Sequence, residues 1–554
     1  MDSEYVQAFS KRRGFYWPSY EIYGGSRGFY DYGPMGSMLL HNMIERWRKL
    51  YVVEEGLLEI SSPVVGLESV FQASGHLGEF TDYLVSCEEC KDVFRADHLL
   101  EDIVDNPDSL EREELAAVLK EKSIVCPSCS GGLSSPEAFN LMFKTTIGPG
   151  GGRTGYLRPE TAQGIFLAFG DLSQQARKRL PFGVVQIGRG YRNEISPRQG
   201  LLRQREFNMA EAEVFFHPDE KVWPGTTDVM ETLLKLVTEE GIEEGISAGE
   251  AVQKGIIGCS ALGYFVALTQ RFLLDVGVDP KRLRFRQHRK TEMAHYASDC
   301  WDAEALLSYG WVELVGIADR GCYDLGQHME HSGVDMRVFV AFEEPRKEHR
   351  IRIVPDLKKL GPIFRNQAKD VASAMEESHP VEGGISVTVN GDILQIPGDC
   401  YSIEEGEVVV SGEKVIPHVV EPSYGLDRIF YTVLEHNLCV EEKSGEEYRV
   451  LRIPLGMAPV KAGVFPLMSK PELEKVSLDI ARNLRRKGIT VNHDSSGSIG
   501  RRYARADEVG TPWCITVDYE SLEDHSATVR NRDSGEQERV AIASMAEHIL
   551  CLME

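Results

Sequence analysis

The chain has 554 residues, 42% hydrophobic and 27% charged, with a formal net charge of −25. That length exceeds what a single core organises, so two or three domains are expected, and the apolar fraction excludes disorder throughout. The charge excludes a chain coated in basic surface but not a local basic face for nucleic acid, and no run of about 18 apolar residues marks a membrane span.

The N-terminus, MDSEYVQAFSKRRGFYW, has no apolar run of signal-peptide kind, so the cytoplasm is the expected compartment. Most of the eleven cysteines are then expected to be reduced. MGSMLLHNMIERWRKLYVVEE, from Gly36 to about Glu55, has helical spacing. LEISSPVVG follows as a short strand, with Pro63 placing it at an edge or a bulge. From about Cys87 to Ser135 the composition turns acidic around two CxxC pairs, Cys87/Cys90 and Cys126/Cys129, which reads as an inserted module. Thiolates so spaced suit tetrahedral zinc, with four reduced thiols as the alternative. GPGGGR, from Gly148 to Arg153, lacks the Gly-Lys-Ser/Thr ending of a phosphate loop and reads as a turn.

From Phe182 the pattern is strand (FGVVQIGRGYRNE), polar loop (ISPRQGLL) and strand (RQREFNMAEAEVFF). Alternation puts Phe207, Met209, Glu211 and Glu213 on one face, and Arg192 with Glu194 on another. As a cleft floor, this surface presents an arginine, an aromatic ring and several carboxylates to a nucleotide and an amine; a solvated hairpin face is the alternative. Helices are predicted near Thr226 to Glu244 and around Leu262 to Val276. WVELVGIADR reads as a buried strand. Residues 343–413 read as a second insertion, with ISVTVNGDILQI as a hairpin on an Asn-Gly turn. VIPHVVEPSYGLDRIFYTVLEH is a strand running into a helix, with Arg428 in its first turn, where it could reach a phosphate. After about Arg449 strands and helices alternate: RVLRIPL, PELEKVSLDIARNLRRKG, ITVNHD, SIGRRYARADEVG, TPWCITVDY and SATVRNRD form a separate α/β domain.

At these segments a family resemblance becomes specific. GRGYRNEISPRQGLLRQREFNMAEAE resembles motif 2 of class II aminoacyl-tRNA synthetases, EPSYGLDRI resembles their motif 3, and LLEISSPVV resembles motif 1, the dimer motif. YLRPETAQGIF resembles the amino-acid loop of the subgroup that includes the seryl, prolyl, threonyl, histidyl and glycyl enzymes. With RGFYDYGPMG and VGIADRGCYDL, the wording is similar to glycyl-tRNA synthetases of the dimeric archaeal and eukaryotic type, over nearly the whole chain. Archaeal and eukaryotic origin are not separated by it. GHLG at Gly75 to Gly78 and Met468-Ser469-Lys470 faintly resemble class I signatures, but no Rossmann context surrounds them.

The resemblance implies an α+β fold: an antiparallel catalytic sheet flanked by helices over residues 1–448, with insertions at 87–135 and 343–413, and an α/β anticodon-binding domain over 449–554. It implies a ligase that activates glycine with ATP, releases pyrophosphate and esterifies the terminal ribose of tRNA(Gly). The enzyme would be a homodimer with no DNA or membrane partner. Arg192 would hold the α-phosphate and the substrate carboxylate. Phe207 and Arg428 would flank adenine. Arg203 and Arg428 would reach the γ-phosphate, and Glu194 would accept from the adenine amino group or guide the tRNA end. Glu160, Glu211, Glu421 and Ser423 would surround the glycine ammonium, with Arg320 near the carboxylate. Mg2+ would accompany ATP. Glu313 resembles its strand ligand, with a structural carboxylate as the alternative. Zinc on the four cysteines would be structural. Arg501, Arg502, Arg505, Arg530 and Arg532 would meet the anticodon stem. Asp427 stands where a small glycine is common, so it either contacts substrate or starts the helix.

Overall fold

The computed structural model describes residues 2–553 except 101–102, 105–106, 108–109, 198, 226, 290–296, 377–384, 390–391 and 444. The catalytic part is organised by a nine-stranded sheet. Its strands in chain order are β1 (Leu58–Ile60), β2 (Phe182–Tyr191), β3 (Glu206–Phe216), β4 (Leu233–Thr238), β5 (Gly241–Ser247), β6 (Leu283–Gln287), β7 (Asp299–Leu307), β8 (Gly310–Gly321) and β9 (His418–Gly425), in spatial order β5-β4-β6-β7-β8-β9-β3-β2-β1. All neighbours are antiparallel except β2 with β1 and β4 with β6. Pro63 sits in the break after edge strand β1, before Val65–Leu67 pairs with Arg153–Leu157. The glycines at 148–152 form the turn from Lys144–Ile147 into Arg153–Leu157.

Helices α1 (Pro34–Arg48), α2 (Ala162–Leu167), α3 (Ser260–Val276), α4 (Tyr323–Ser332) and α5 (Leu426–Asn437) cover this part. The predicted helix after Gly36 is α1, continued by a π-helical turn over Lys49–Glu54. Apolar positions on α1, α3 and α5 meet one aromatic layer. Trp47 stacks on Tyr51 with centroids 4.5 Å apart, and the buried Tyr51 and Tyr424 hydroxyls lie 2.7 Å apart. Each such side chain, once buried, contributes roughly 1.5–3 kcal/mol, and its hydroxyl costs little because it is paired.

The predicted helix near Thr226 to Glu244 is corrected. Thr226 lies outside the described residues; Thr227–Met230 is a single helical turn, and β4 and β5 then form a hairpin across Thr238 and Gly241. Alternating Leu234, Leu236 and the β-branched residues of LVT fit a half-buried sheet edge better than a helix face.

Residues Arg337–Val415 form a compact unit of their own. Val338–Pro355 pairs with Tyr401–Val415, and two helices, Leu357–Phe364 and Ala368–Glu376, cover a small core with Ile385, Val387 and Ile396. Ile385–Val389 pairs with Asp392–Ile396 as the alternation predicts; the Asn-Gly turn lies outside the described residues.

The C-terminal part is a five-stranded sheet. Strands β10 (Ala462–Pro466), β11 (Val491–His493), β12 (Trp513–Val517), β13 (Ser526–Asn531) and β14 (Gln537–Ala541) run in the order β11-β10-β12-β13-β14, with helices α6 (Pro471–Arg486), α7 (Ile499–Glu508) and α8 (Met545–Cys551). The sequence reading missed β10, whose five residues are all buried. A short strand with parallel neighbours on both sides has no alternation to read.

Candidate active site

Strand register fixes most of the site. Glu211 on β3 lies opposite Ser423 on β9, and Ala318 on β8 lies opposite Glu421. Glu211, Glu421 and Arg320 therefore meet in the middle of the sheet although up to 210 residues separate them (421 − 211). All three are buried. Ser423 donates to Glu211 at 2.7 Å, and the Thr161 backbone N–H and hydroxyl donate to its other oxygen at 2.6 and 2.5 Å. Burial, with Glu160 nearby, still raises the Glu211 carboxyl.

Arg320 is not a free guanidinium awaiting a carboxylate. It donates twice to Asp324 on α4, at 2.8 and 2.9 Å, and once to Glu421 at 2.7 Å. Burial outweighs this pairing for Glu421 and pushes its carboxyl up to about 7. Glu160 is held in the opposite direction. Against the cost of its burial, His76 at 3.5 Å, Arg320 and a 2.9 Å bond from Gln163 keep it well below the usual carboxylate range.

Next to this cluster opens a cavity of about 320 Å³, lined among others by Arg192, Glu194, Arg203, Phe207, Glu313, Ser423 and Arg428. Six of these are the residues assigned to ATP, and Ser423 is where the cavity meets the acidic cluster. Arg192 and Glu194 follow the end of β2 and are not strand residues as the alternation suggested. The Arg192 guanidinium lies 5.4 Å from the Phe207 ring and 5.2 Å from Phe80. Arg203 pairs with Glu194 at 3.2 Å and Arg428 with Glu313 at 3.0 Å.

Asp427 is resolved by its partners. It accepts from the Asn208 backbone at 2.6 Å and side chain at 2.8 Å, and from the Tyr32 hydroxyl. It ties the first turn of α5 to β3, setting Arg428 relative to Phe207.

The cysteine module reaches the same cavity. Strands Thr81–Ser86, Val93–Arg95 and Glu137–Asn140 form its sheet, and Phe80, Asp82 and Arg95 line the cavity. The four sulfurs of Cys87, Cys90, Cys126 and Cys129 lie within 4.8 Å of one another, with Cys87–Cys129 at 3.4 Å and Cys90–Cys126 at 3.6 Å. Four thiolates at this spacing fit a tetrahedral ion with bonds of about 2.3 Å.

Glu160 also borders a second groove, about 560 Å³, between Ile60–Phe71 and the segment around α2, where Val65, Leu67 and Leu167 are exposed.

Several contacts were not read from the sequence. His76, set aside within the GHLG fragment, faces Glu160; Thr161, Gln163 and Asp324 complete the cluster. In the C-terminal part the arginine assignment is corrected. Arg502 is buried and donates to the carbonyls of Ser495 and Gly497, Arg532 donates to those of Leu451, Gly510 and Ile453, and Arg530 is clamped on Asp507. These three hold the fold. Arg505 pairs with Asp494, and Arg501 is exposed.

A family model described as the class II tRNA synthetase core domain (G, H, P, S and T) matches residues 143–388, and one described as the anticodon binding domain matches 458–552. Prolyl-tRNA synthetase from Cryptosporidium parvum, solved with halofuginone and AMPPNP, shares the fold at 11% identity and a TM-score of 0.52, over 100% of this chain and 77% of that one. The glycine–tRNA ligase of Methanothrix thermoacetophila is 50% identical over 99% of this chain and 97% of its own. Those of Archaeoglobus fulgidus and Methanocaldococcus jannaschii are 49% and 46% identical, over 96% and 99% of this chain and 94% and 98% of theirs. With identity of this order along its whole length, the chain belongs to the glycine–tRNA ligase family.

Proposed function

We propose that the cavity and the acidic cluster beside it are one cleft, in which glycine is activated by ATP and then passed to tRNA. The chain is an aminoacyl-tRNA synthetase whose amino acid is glycine; the residue roles are the proposal. The observation that carries them is the continuity at Ser423. A nucleotide-sized cavity with four arginines and two aromatic rings meets, at that serine, a set of carboxylates with one cation among them.

Glycine offers only an ammonium and a carboxylate. Glu160, Glu211 and Glu421 receive the ammonium, and the attraction is strong because water is largely excluded. Arg320 acts chiefly on Glu421, since Asp324 and Glu421 already occupy it. Arg192 holds the substrate carboxylate against the α-phosphate. As the carboxylate oxygen attacks phosphorus and pyrophosphate leaves, the guanidinium meets charge gathering on the phosphoryl oxygens. Adenine lies between Phe207 and Arg428, and Arg203 with Arg428 takes the far phosphates. Glu194 contacts the adenine amino group or the tRNA end. The ribose hydroxyl of tRNA then attacks the glycyl carbonyl and AMP departs.

Mg2+ supplies phosphate neutralisation when ATP is bound, with Glu313 as its protein ligand, released from Arg428. Zinc on the four cysteines is structural, because four sulfurs leave no open position. A second copy of the chain docks on the groove beside Pro63, Val65 and Leu67 and closes the space next to Glu160. Its setting is the cytoplasm, and its anticodon-side contacts include Arg501 and Arg505. Steric closure around the α-carbon rejects larger amino acids more sharply than a missing methylene could.

Replacing Arg192 by alanine tests the reading. Glycine-dependent ATP–pyrophosphate exchange is expected to fall by about 100-fold or more, with the melting temperature unchanged. Exchange at the wild-type rate would remove Arg192 from the mechanism.

A further inference from the structure

One buried group behind the acidic cluster has no part in glycine activation as described. Glu213, two residues beyond Glu211 on the same face of β3, is wholly buried, and neither of its carboxylate oxygens has a hydrogen-bond partner. The register that sets Glu211 opposite Ser423 and Val214 opposite Val420 sets Glu213 opposite Glu421.

The charged groups that act on it most strongly come from three strands and one helix. Glu211 comes from its own strand, Glu421 from β9, Arg320 from the end of β8 and Asp324 from α4. On β2 its partner is Val184, and α2, AQGIFL, has no ionisable residue. Arg320 is already divided between Asp324 and Glu421. A second anion against Glu421, buried and without a donor, would carry a large uncompensated desolvation cost. A carboxyl with no donor within reach escapes that cost by keeping its proton and becoming a donor itself.

We propose that Glu213 is a positioning residue for glycine: it carries a proton, donates it in a hydrogen bond to Glu421, and so keeps Glu421 anionic toward the substrate ammonium. Burial beside Glu421 favours the neutral form of Glu213 strongly, in agreement with this arrangement. Three carboxylates then face the ammonium while the sheet behind them stays neutral. The inference rests on the glycine pocket proposed above.

The test is ATP–pyrophosphate exchange across pH, with KM for glycine and for ATP measured separately, for wild type, Glu213→Gln, Glu213→Leu and Glu421→Gln. Glutamine keeps a donor without a charge, so E213Q should hold its glycine KM within about threefold of wild type and keep the same pH profile. Leucine fills the space without a donor. E213L should raise glycine KM about 10- to 100-fold, leave ATP KM unmoved, and shift the acid limb of the profile to higher pH, because Glu421 loses its donor. A limb that moves to lower pH in E213Q would mean that Glu213 acts as an anion and would overturn the proposal, as would an E213L variant indistinguishable from wild type. If E213L does not fold, infrared difference spectra of wild type and E213Q decide: the carbonyl band of a buried protonated carboxyl must be present in the first and lost in the second. Glu421→Gln separates the two readings. An unchanged glycine KM in that variant would sink the pocket itself, whatever the infrared band shows for Glu213.

Discussion

Glu421 stands between Arg320 and a neighbouring carboxylate, and the balance between them decides when it can accept an ammonium. Its carboxyl, pushed up to about 7 by burial, is neutral below that pH and charged above it. Glycine KM should therefore fall as pH rises through about 7, approaching a tenfold change per pH unit on the acid side, while ATP KM stays level. A flat glycine profile in exchange assays would show that Glu421 is not the group that binds the ammonium. At this scale the sequence was legible where a motif named the residue: Glu160, Glu211, Glu421 and Ser423 do come together. It was not legible where one loop or helix crosses another. His76 and Asp324 reach the cluster from a short turn and from α4, and although Asp324 lies only four residues from Arg320, no period along the chain announces that His76 meets Glu160 or that Asp324 meets Gln163, each pair more than eighty positions apart. Arg502, Arg530 and Arg532 failed for the converse reason: a guanidinium that satisfies buried carbonyls, as Arg502 and Arg532 do, or a buried carboxylate, as Arg530 does with Asp507, looks in sequence like one that awaits a phosphate.

The elements around the cleft divide the labour. Strands β3, β8 and β9 supply Glu211, Glu421 and Arg320 through their register, the bend before α2 supplies Glu160, and the loop after β2 supplies Arg192. The first turn of α5, tied down by Asp427, supplies Arg428. The cysteine module adds Phe80 and Arg95 to the ATP cavity, so its folding should matter to activation. Cys90→Ser is expected to abolish bound zinc, measured as about one ion per chain in the wild type by metal analysis, and to raise ATP KM with little effect on glycine KM. Zinc-free wild type with unaltered ATP KM would contradict that coupling. Long periodic segments were read well at this scale, as α3 and β8 show. The β4–β5 hairpin and β10 were not, because the hairpin's apolar residues fit two periods and β10 has no polar face.

For the whole molecule, an exposed apolar groove beside β1 is one of the features that a lone chain leaves uncovered. Val65, Leu67 and Leu167 are each at least 41% exposed there, and Glu160 forms part of the wall. Light scattering should report a dimer. Leu67→Arg should yield a monomer with weakened glycine-dependent exchange, since the space next to Glu160 then stays open; a fully active monomer would separate assembly from catalysis. The motif 1 resemblance implies a dimer contact near this segment, but the shape of the groove depends on the segment around α2 across from the break at Pro63, which the sequence does not display.

The most direct measurement is a crystal structure of the protein with a non-hydrolysable glycyl-adenylate analogue. The purine should lie between Phe207 and Arg428, the ammonium among Glu160, Glu211 and Glu421, and the phosphate mimic against Arg192. A purine away from Phe207 and Arg428, or space for a further side chain beside the glycyl α-carbon, would contradict the cleft described here.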